Sequence, residues 1–451
     1  MDHDADPAHP TDLTDQTDPT QRPSSAAERD ELSRRVNAVL EERGVRFGGA
    51  GGHAFRADPV PRLLDPGEWE VLADGLAQRI RALDAFVADV YAERRCVADG
   101  VLPAHVLDAT PYLEPDLTGS APVAGAWISV AGFDVVRDED GTLLVLEDNV
   151  RTPSGMAYAM AVSEAVSEVL GVEPSSGLEE CASALRRCLE ATNPGDDGAL
   201  VLLTDGPENS AYYEHRRLAD EAGLELVELD GLRRDGDGLR LADGSPVRAV
   251  YRRTEQDGLA PADPTADPSA DVAGLLLEPW RAGRVGMVNC YGTGVADDKS
   301  VYAHVDDMVR YYLHEEPRIR SVPTYDLTDA DRLREALDRL PELVAKPRDG
   351  AGGEGVVIGP TASADQLAAT RQAMSDEPTR WIVQDVVSLS TQPTIVDGVP
   401  QPRHVDLRPF VFFDGREVTV PRGGLTRVAL EEGQMVVNSS QDGGAKATWV
   451  G

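Results

Sequence analysis

Residues 127–155 read WISVAGFDVVRDEDGTLLVLEDNVRTPSG. Apolar residues dominate 127–136 and 143–146, and the turn residues DEDG at 138–141 separate these two runs. This pattern predicts a β-hairpin. The second strand runs directly into the polar triplet EDN at 147–149. The sequence therefore places polar side chains at the end of a buried hairpin.

Three oxygen-bearing side chains on this hairpin form a candidate metal site. Glu147 and Asn149 are two residues apart and point to the same face of an extended strand, and Asp134 lies on the partner strand. Mg²⁺ prefers such oxygens and takes waters and phosphate oxygens for the rest. The alternative is an acidic hairpin end in an acidic protein. Arg151 and the loop at 154–155 favour the metal site, because they would add a cation and backbone N–H groups beside it.

A lysine followed by glycines forms a candidate nucleotide site in the C-terminal third. Lys346 ends the apolar run 343–345 and precedes a loop containing Gly350, Gly352, Gly353 and Gly355. Because glycine has no Cβ, such a loop can lay backbone N–H groups over a triphosphate. The sequence contains neither the GxxxxGK[ST] nor the GxGxxG pattern. An ordinary Gly-rich hairpin is the alternative.

Three further cations are candidates for binding an anion. Lys299 precedes a predicted helix over 301–313, where the helix dipole disfavours a cation, and this mild penalty indicates an anionic partner. Arg408 and Arg427 lie on consecutive predicted strands, and each could contact phosphate or carboxylate in bidentate fashion. The alternatives are compensation of Lys299 by the preceding aspartates and ordinary salt bridges for the two arginines.

The predicted elements divide the chain into four parts and indicate an α/β (α+β) protein. Residues 1–25 contain almost no apolar side chain and are predicted to be a disordered acidic tail. Residues 26–197 combine N-terminal helices with the hairpin. The βαβ-like pattern of 198–290 predicts a parallel sheet, and 291–451 carries the lysines, the Gly-rich loop and further strands.

Other charged residues have simpler expected roles. Arg79 and Arg81 interrupt the apolar face of a predicted helix over 66–93, and we expect them on its solvated side. Arg252 and Arg253 follow a predicted strand. They could bind an acidic substrate or form surface salt bridges.

Composition restricts the partners and the compartment. The chain has 451 residues with 43 Lys and Arg against 79 Asp and Glu, a formal net charge of −36. This charge argues against a general nucleic-acid binder and against docking to an anionic membrane. No apolar stretch approaches the length of a membrane span, and the N-terminal residues MDHDADPAHP show no secretory signal. The 4 cysteines form no CxxC pair and suit a reducing compartment. We therefore expect a cytoplasmic protein.

Taken together, the motifs resemble those of the circularly permuted ATP-grasp family, and are similar to the synthetase part of glutathionylspermidine synthetase. In ordinary ATP-grasp proteins the lysine and the Gly-rich loop precede the Asp…Glu-x-Asn metal motif. Here the metal motif at 132–151 comes first, and the lysine and loop come about two hundred residues later. Further matching runs keep the family's order: 209–215, 292–302, 403–409, 423–428 and 437–441.

The resemblance implies a role for each candidate residue. Asp134, Glu147 and Asn149 would hold Mg²⁺, Lys299 and Lys346 would bind ATP, and the loop from Gly350 to Gly355 would close over the γ-phosphate. Gln384 and its neighbours would form the adenine hinge. Arg408 and Arg427 would contact phosphate, and Arg151 would stabilise the transferring phosphoryl group or an acyl phosphate. Residues 198–290 would form a preATP-grasp-like subdomain.

The activity implied is ATP-dependent ligation of a carboxylate to an amine through an acyl phosphate. The substrates would be small molecules or peptides that carry these groups. Two alternatives use the same fold: a scaffold that binds ATP without turnover, and a kinase acting on a small molecule.

Overall fold

A computed structural model describes residues 25–193, 197–254, 258–259, 271–348, 355–429, 431–434 and 444–451. The predicted acidic tail lies outside these residues except for Ser25. The N-terminal elements are α1 (Ala26–Glu42), β1 (Arg46–Phe47), β2 (His53–Ala54), β3 (Ala57–Leu64), α2 (Pro66–Val90), α3 (Arg95–Ala98), α4 (Ala104–Asp108), β4 (Val130–Arg137), β5 (Leu143–Asn149), α5 (Met156–Leu170) and α6 (Glu180–Thr192).

The middle of the chain follows with β6 (Ala199–Thr204), α7 (Tyr212–Ala222), β7 (Glu225–Val227), β8 (Leu232–Asp235), β9 (Gly238–Leu241), β10 (Val247–Arg253), α8 (Val272–Arg281) and β11 (Gly286–Val288). Strands β6, β7, β10 and β11 pair in parallel in the order β11-β10-β6-β7. This sheet confirms the predicted parallel arrangement in residues 198–290.

The C-terminal elements are α9 (Gly294–Asp297), α10 (Lys299–Tyr302), α11 (Val305–Met308), β12 (Arg320–Ser321), β13 (Thr324–Asp326), α12 (Ala330–Arg339), β14 (Leu343–Pro347), β15 (Val357–Ile358), α13 (Ala364–Asp376), β16 (Trp381–Asp385), β17 (Thr391–Val396), β18 (Val399–Arg408), β19 (Phe410–Phe413), β20 (Val418–Thr419), β21 (Leu425–Val428) and β22 (Gly444–Val450). The single helix predicted over 301–313 is wrong: α10, α11 and a π-helical turn divide it.

A central sheet joins the two ends of the chain. Its strands run in the order β12-β5-β4-β18-β21-β22-β3, with β17, β19 and β20 attached at the side. A smaller sheet, β13-β16-β14-β15, carries Lys346 and packs with α12 and α13. Residues far apart in sequence therefore meet on the central sheet, and the predicted α/β (α+β) architecture is confirmed.

Helix α2 shows how sequence sets this packing. Asp65 caps it by accepting hydrogen bonds from the N–H groups of Gly67 and Glu68, and Pro66 occupies its first turn. Its buried apolar side chains recur every three or four residues and face the central sheet: Trp69, Leu72, Leu76, Ile80, Leu83 and Val87. No helix in the described part of the chain is long and apolar enough to cross a bilayer.

Candidate functional site

The site is built on one face of the β4–β5 hairpin. Asp134 lies directly opposite Glu147, and Gly132 lies opposite Asn149. Paired residues of an antiparallel ladder project to the same face, so the three predicted metal-binding side chains share one surface. A register irregularity just after Asp134 shifts the pairing by one residue at Leu146. The predicted hairpin and its polar face are thus confirmed as geometry.

Two arginines hold the carboxylate of Asp134. Arg408 on β18 donates from Nε to Oδ1 at 2.6 Å and from Nη2 to Oδ2 at 2.9 Å, and Arg427 on β21 lies 2.7 Å from Oδ2. Arg427 also donates from Nε to Asp406 at 2.9 Å. Burial raises the pKa of Asp134, but the two guanidinium groups outweigh it and hold that pKa well below its usual range. Asp134 is therefore an ionised anchor for two cations.

The two predicted lysines converge on the same face from different elements. Lys299 Nζ lies 3.1 Å from Glu147 Oε1. Lys346 is partly buried on β14 of the smaller sheet. Burial and the neighbouring Lys299 lower the pKa of Lys346 to about 8, although Glu147 opposes the shift. Two lysines from different elements therefore lie near Glu147, and burial holds the pKa of Lys346 below its ordinary value.

Gln384 joins the smaller sheet to the hairpin. Its side chain is buried and donates to Thr324 Oγ1 at 2.9 Å and to the Leu146 carbonyl at 3.5 Å. The amide is thus occupied by protein partners, and the adenine hinge stays a prediction for the segment. Of the Gly-rich loop, Gly350, Gly352 and Gly353 lie outside the described residues. Gly355 has φ +71°, and a Cβ there would lie 2.9 Å from Pro347 Cγ, so this position requires glycine.

Arg151 lies just beyond the hairpin and is held from two sides. Its Nε donates to Asp297 Oδ2 at 2.8 Å, and its guanidinium lies 4.5 Å from the ring centroid of Tyr112. Asp297 Oδ1 also accepts from the Val150 N–H at 2.6 Å. The backbone N–H of Gly155, predicted to lie beside a metal, instead donates to Glu214 at 2.8 Å. That part of the sequence interpretation is wrong.

Sequence reasoning missed the buried groups that support this hairpin from behind. Arg79 on α2 grips Asp148 at 2.7 and 2.8 Å and is buried, so its predicted solvated position is wrong. Asp148 alternates with Glu147 and Asn149 along β5 and must face the opposite side of the strand. This alternation along β5 predicts that the carboxylate of Asp148 is buried on the opposite side of the strand, where it needs a buried cation as a partner.

Asn289 is a second residue that the sequence interpretation missed. Its Oδ1 accepts from the N–H groups of Ser129 and Val130 at 2.7 and 2.8 Å. Its Nδ2 donates to the carbonyls of Val130 and Val150 at 2.7 and 2.8 Å. One amide side chain thus ties the start of β4 to the end of β5. It follows β11 at the carboxyl edge of the parallel sheet, where loop residues commonly serve a site.

The side chains on the hairpin fit an Mg²⁺ ion carried by a nucleotide. No cluster of three or more His, Cys, Asp or Glu side chains within the described ranges is arranged to hold a metal alone. Mg²⁺ typically needs only one or two carboxylates when phosphates complete its shell. The buried Nδ2 of Asn149 has no hydrogen-bond partner among the described residues. This unpartnered donor beside Glu147 suits a ligand that brings an acceptor, such as a phosphate oxygen, while the Oδ1 of the same amide is the atom that would coordinate Mg²⁺.

Comparisons with known proteins identify the family of this chain. The sequence model of a family described as circularly permuted ATP-grasp type 2 matches residues 61–429. An uncharacterised protein of Mycobacterium tuberculosis is 42% identical over 439 residues, which cover 95% of this chain and 79% of the relative. A Frankia alni protein, provisionally named a glutamate–cysteine ligase, is 45% identical over 438 residues. That match covers 93% of this chain but 50% of the Frankia protein.

A solved structure shares the fold. A glutathione synthetase-like effector from Globodera pallida, in its apo form, superposes with a TM-score of 0.63 at 13% identity. The superposition covers 96% of this chain and 99% of the effector. At this identity the likeness concerns the fold alone.

Proposed function

Because the chain belongs to the circularly permuted ATP-grasp type 2 family, we propose that it is an ATP-dependent ligase that joins a carboxylate to an amine. The observation that carries this proposal is the convergence of charges from both ends of the chain. Lys299 and Lys346 come from the C-terminal third, and the hairpin carboxylates of Asp134 and Glu147 come from the N-terminal third. Phosphate oxygens between them would meet cations on one side and metal ligands on the other.

The proposed reaction begins with attack of a substrate carboxylate oxygen on the γ-phosphorus of ATP. The bond from the γ-phosphorus to the bridging oxygen breaks and ADP leaves, which yields an acyl phosphate. An amine then attacks the acyl carbon, the phosphate leaves, and the nitrogen loses its proton. The product is an amide. Catalysis of such transfers is mainly alignment and charge compensation.

The residues of this chain would divide that work. Lys299 and Lys346 would bind the phosphates, and Glu147 and Asn149, with Asp134, would hold Mg²⁺. When bound, Mg²⁺ supplies compensation for the phosphate charge. Arg408 and Arg427 would keep Asp134 oriented and lie near the transferring group. Arg151, fixed by Asp297 and Tyr112, would face the acceptor carboxylate.

The first prediction tests the chemical class of the reaction. With ATP, Mg²⁺ and pools of carboxylates and amines, phosphate release should require both substrates, and hydroxylamine should trap the acyl phosphate as a hydroxamate detectable by mass. Glutamate with cysteine is the first pair to test, since these substrates appear in the name of the Frankia relative. That relative is twice as long as the matching region, so broader pools follow.

The alternatives predict different products from the same assay. A kinase acting on a hydroxyl group would give a stable phosphate ester without any amine and no hydroxamate. A scaffold that only binds ATP would give no ADP. Either result would contradict the ligase proposal.

The second prediction concerns Lys346. Lys346→Met should weaken binding of a non-hydrolysable ATP analogue about tenfold or more, because an ammonium contact to phosphate is lost. In the wild type the affinity should fall as pH rises above about 8. Bound phosphate raises the pKa of this lysine. At a pH above the pKa of the lysine in the nucleotide-free protein, nucleotide binding therefore takes up a proton.

Calorimetric titration between about pH 7 and 9 measures both effects. Lys346→Arg keeps its charge and should remove the pH dependence. Arg339→Met deletes an exposed cation from α12, a helix that packs on the smaller sheet, and should bind as the wild type does. Unchanged affinity in Lys346→Met would remove this lysine from the nucleotide site.

A further inference from the structure

A second buried polar cluster lies behind the site, where the parallel sheet meets the beginning of α5. Its members are buried: Thr204, Glu214, His215, Tyr251 and Arg253. They lie at the carboxyl ends of β6 and β10 and on the first turn of α7. Arg253 forms an ion pair with Glu214 that is buried, so the surface salt bridge given as one of its two alternatives is wrong. Arg252 is also buried, with its guanidinium 4.0 Å from the ring centroid of Tyr291.

Glu214 and Arg253 hold the turn at 153–157 by its backbone. Glu214 Oε2 accepts from the N–H groups of Gly155 at 2.8 Å and Ala157 at 3.0 Å. Its Oε1 accepts from Arg253 Nη2 at 3.1 Å. Arg253 Nη1 in turn donates to the Pro153 carbonyl and to Tyr251 Oη. The ion pair thus fixes backbone groups on both sides of Gly155.

His215 fixes the orientation of Arg253. Arg253 Nε donates to His215 Nε2 at 3.2 Å, which requires that nitrogen to be unprotonated. His215 Nδ1–H then donates to Thr204 Oγ1 at 2.8 Å. Burial, with Arg253 nearby, lowers the pKa of His215 well below its usual value. The imidazole is therefore a neutral acceptor that holds the guanidinium in one plane.

The same turn supports Arg408, which touches the candidate metal site. Arg408 Nη1 donates to the Ser154 carbonyl at 3.2 Å, while its other nitrogens grip Asp134 at 2.6 and 2.9 Å. Gly155 has φ +123°, and a Cβ there would lie 3.1 Å from Leu425 Cδ2 and 3.2 Å from Phe410 Cζ. The turn has little room to shift without moving these neighbours.

We propose that Glu214 and Arg253 are positioning residues for the ligase reaction, and this inference rests on the proposed function. Without contacting nucleotide, they hold turn 153–157, and the turn holds Arg408 against Asp134. A buried ion pair is expensive to desolvate and seldom gives more stability than apolar packing would. Its geometric effect on a backbone turn beside the site accounts for its presence here.

The test uses a variant that removes both charges. Glu214→Met/Arg253→Met leaves no unbalanced buried ion and also removes the oxygen that accepts from Gly155 and Ala157, and it should fold. We expect its kcat to fall about tenfold or more, since small displacements of catalytic groups are costly. The KM for ATP should change less than about threefold, because Lys299 and Lys346 are untouched. Amide hydrogen exchange in peptides covering 150–160 should be faster than in the wild type.

The single variant Glu214→Gln separates stability from positioning. It leaves Arg253 buried without a counter-charge, so it should unfold more easily than the double variant. Its amide oxygen can still accept from Gly155 and Ala157, so its kcat should fall less than that of the double variant. Arg217→Met/Glu164→Gln is the control, since it removes an ion pair of 2.5 Å that joins α7, the helix that carries Glu214, to α5. That pair makes no contact with turn 153–157, and kcat and exchange at 150–160 should match the wild type.

The outcomes separate this inference from the proposed function. A folded double variant with wild-type kcat, or with unchanged exchange at 150–160, would overturn the positioning role. A wild-type protein that never produces ADP would instead overturn the ligase proposal. In that case faster amide exchange at 150–160 in the double variant would still support the conclusion that Glu214 and Arg253 restrain turn 153–157. If the single variant does not fold, the double variant decides alone.

Discussion

Glu147→Gln and Asn149→Ala should each lower Mg²⁺-dependent ATP turnover about 100-fold or more. Each change removes or weakens an oxygen on the hairpin face that also carries Asp134. The fold should persist in both variants. Glu147 is partly exposed, and the Nδ2 of Asn149 has no hydrogen bond within the described structure to lose. ADP release measured against Mg²⁺ concentration, with circular dichroism for folding, checks the prediction.

Glu147→Gln should affect ATP binding in the absence of metal differently from ATP turnover. Glu147→Gln removes the carboxylate that lies 3.1 Å from Lys299. That lysine becomes more available to phosphate, and affinity for ATP in EDTA should stay equal or increase. Glu139→Gln, in the exposed turn of the same hairpin, is the matched control and should turn over ATP normally. Normal turnover in Glu147→Gln or Asn149→Ala would move the metal site elsewhere.

Local sequence was sufficient for the hairpin and the family. The apolar runs at 127–136 and 143–146 and the DEDG turn between them are short-range features. The two-residue spacing predicted that Glu147 and Asn149 share a face, and the pairing places Asp134 opposite Glu147. The permuted order of the motifs correctly predicted the family that matches residues 61–429. These predictions succeeded because neighbouring residues determine the periodicity and the turn.

Long-range partners could not be predicted in the same way. Arg79 and Asp148 are 69 residues apart, and Asn289 contacts Val130 at a separation of 159. Periodicity places Arg79 on a helix but does not say that a carboxylate faces it from β5. The helix predicted over 301–313 failed for a related reason. Tyr302 is anchored on the central sheet by the Val145 carbonyl at 2.5 Å, and tertiary contacts override helical propensity there.

The same long-range character explains why the roles of Arg408 and Arg427 stayed open in the sequence. Phosphate binding and salt bridging were equally compatible with two arginines on consecutive strands. In the structure both contact Asp134, and Arg427 also pairs with Asp406. The salt-bridge interpretation therefore describes their protein contacts. Contact with phosphate stays a prediction, and it requires that these same guanidinium groups keep N–H donors directed at the hairpin face that carries Glu147 and Asn149.

Asp134→Asn should destabilise the fold by about 3 kcal/mol, because it leaves Arg408 and Arg427 facing a neutral amide in a buried site. The Asp134 side chain is 4% exposed, and both of its oxygens are engaged. Urea unfolding in EDTA without nucleotide measures the loss. Asp140→Asn makes the same chemical change in the exposed turn of this hairpin. It should alter the free energy of unfolding by less than about 0.5 kcal/mol.

The difference in free energy of unfolding between the wild type and Asp134→Asn should depend on pH, and this dependence tests whether charge causes the difference. The folded pKa of Asp134 is lowered, so its stabilising contribution is complete above the unfolded pKa of about 3.9. The contribution is lost as pH falls from there towards the folded pKa. This difference in free energy of unfolding should therefore be constant from about pH 5 to 8 and become smaller below about pH 4. If Asp134→Asn changes the free energy of unfolding no more than Asp140→Asn does, Asp406 alone compensates the charges of Arg408 and Arg427. If the difference in free energy of unfolding between the wild type and Asp134→Asn does not become smaller below about pH 4, packing rather than charge is the source of the stability.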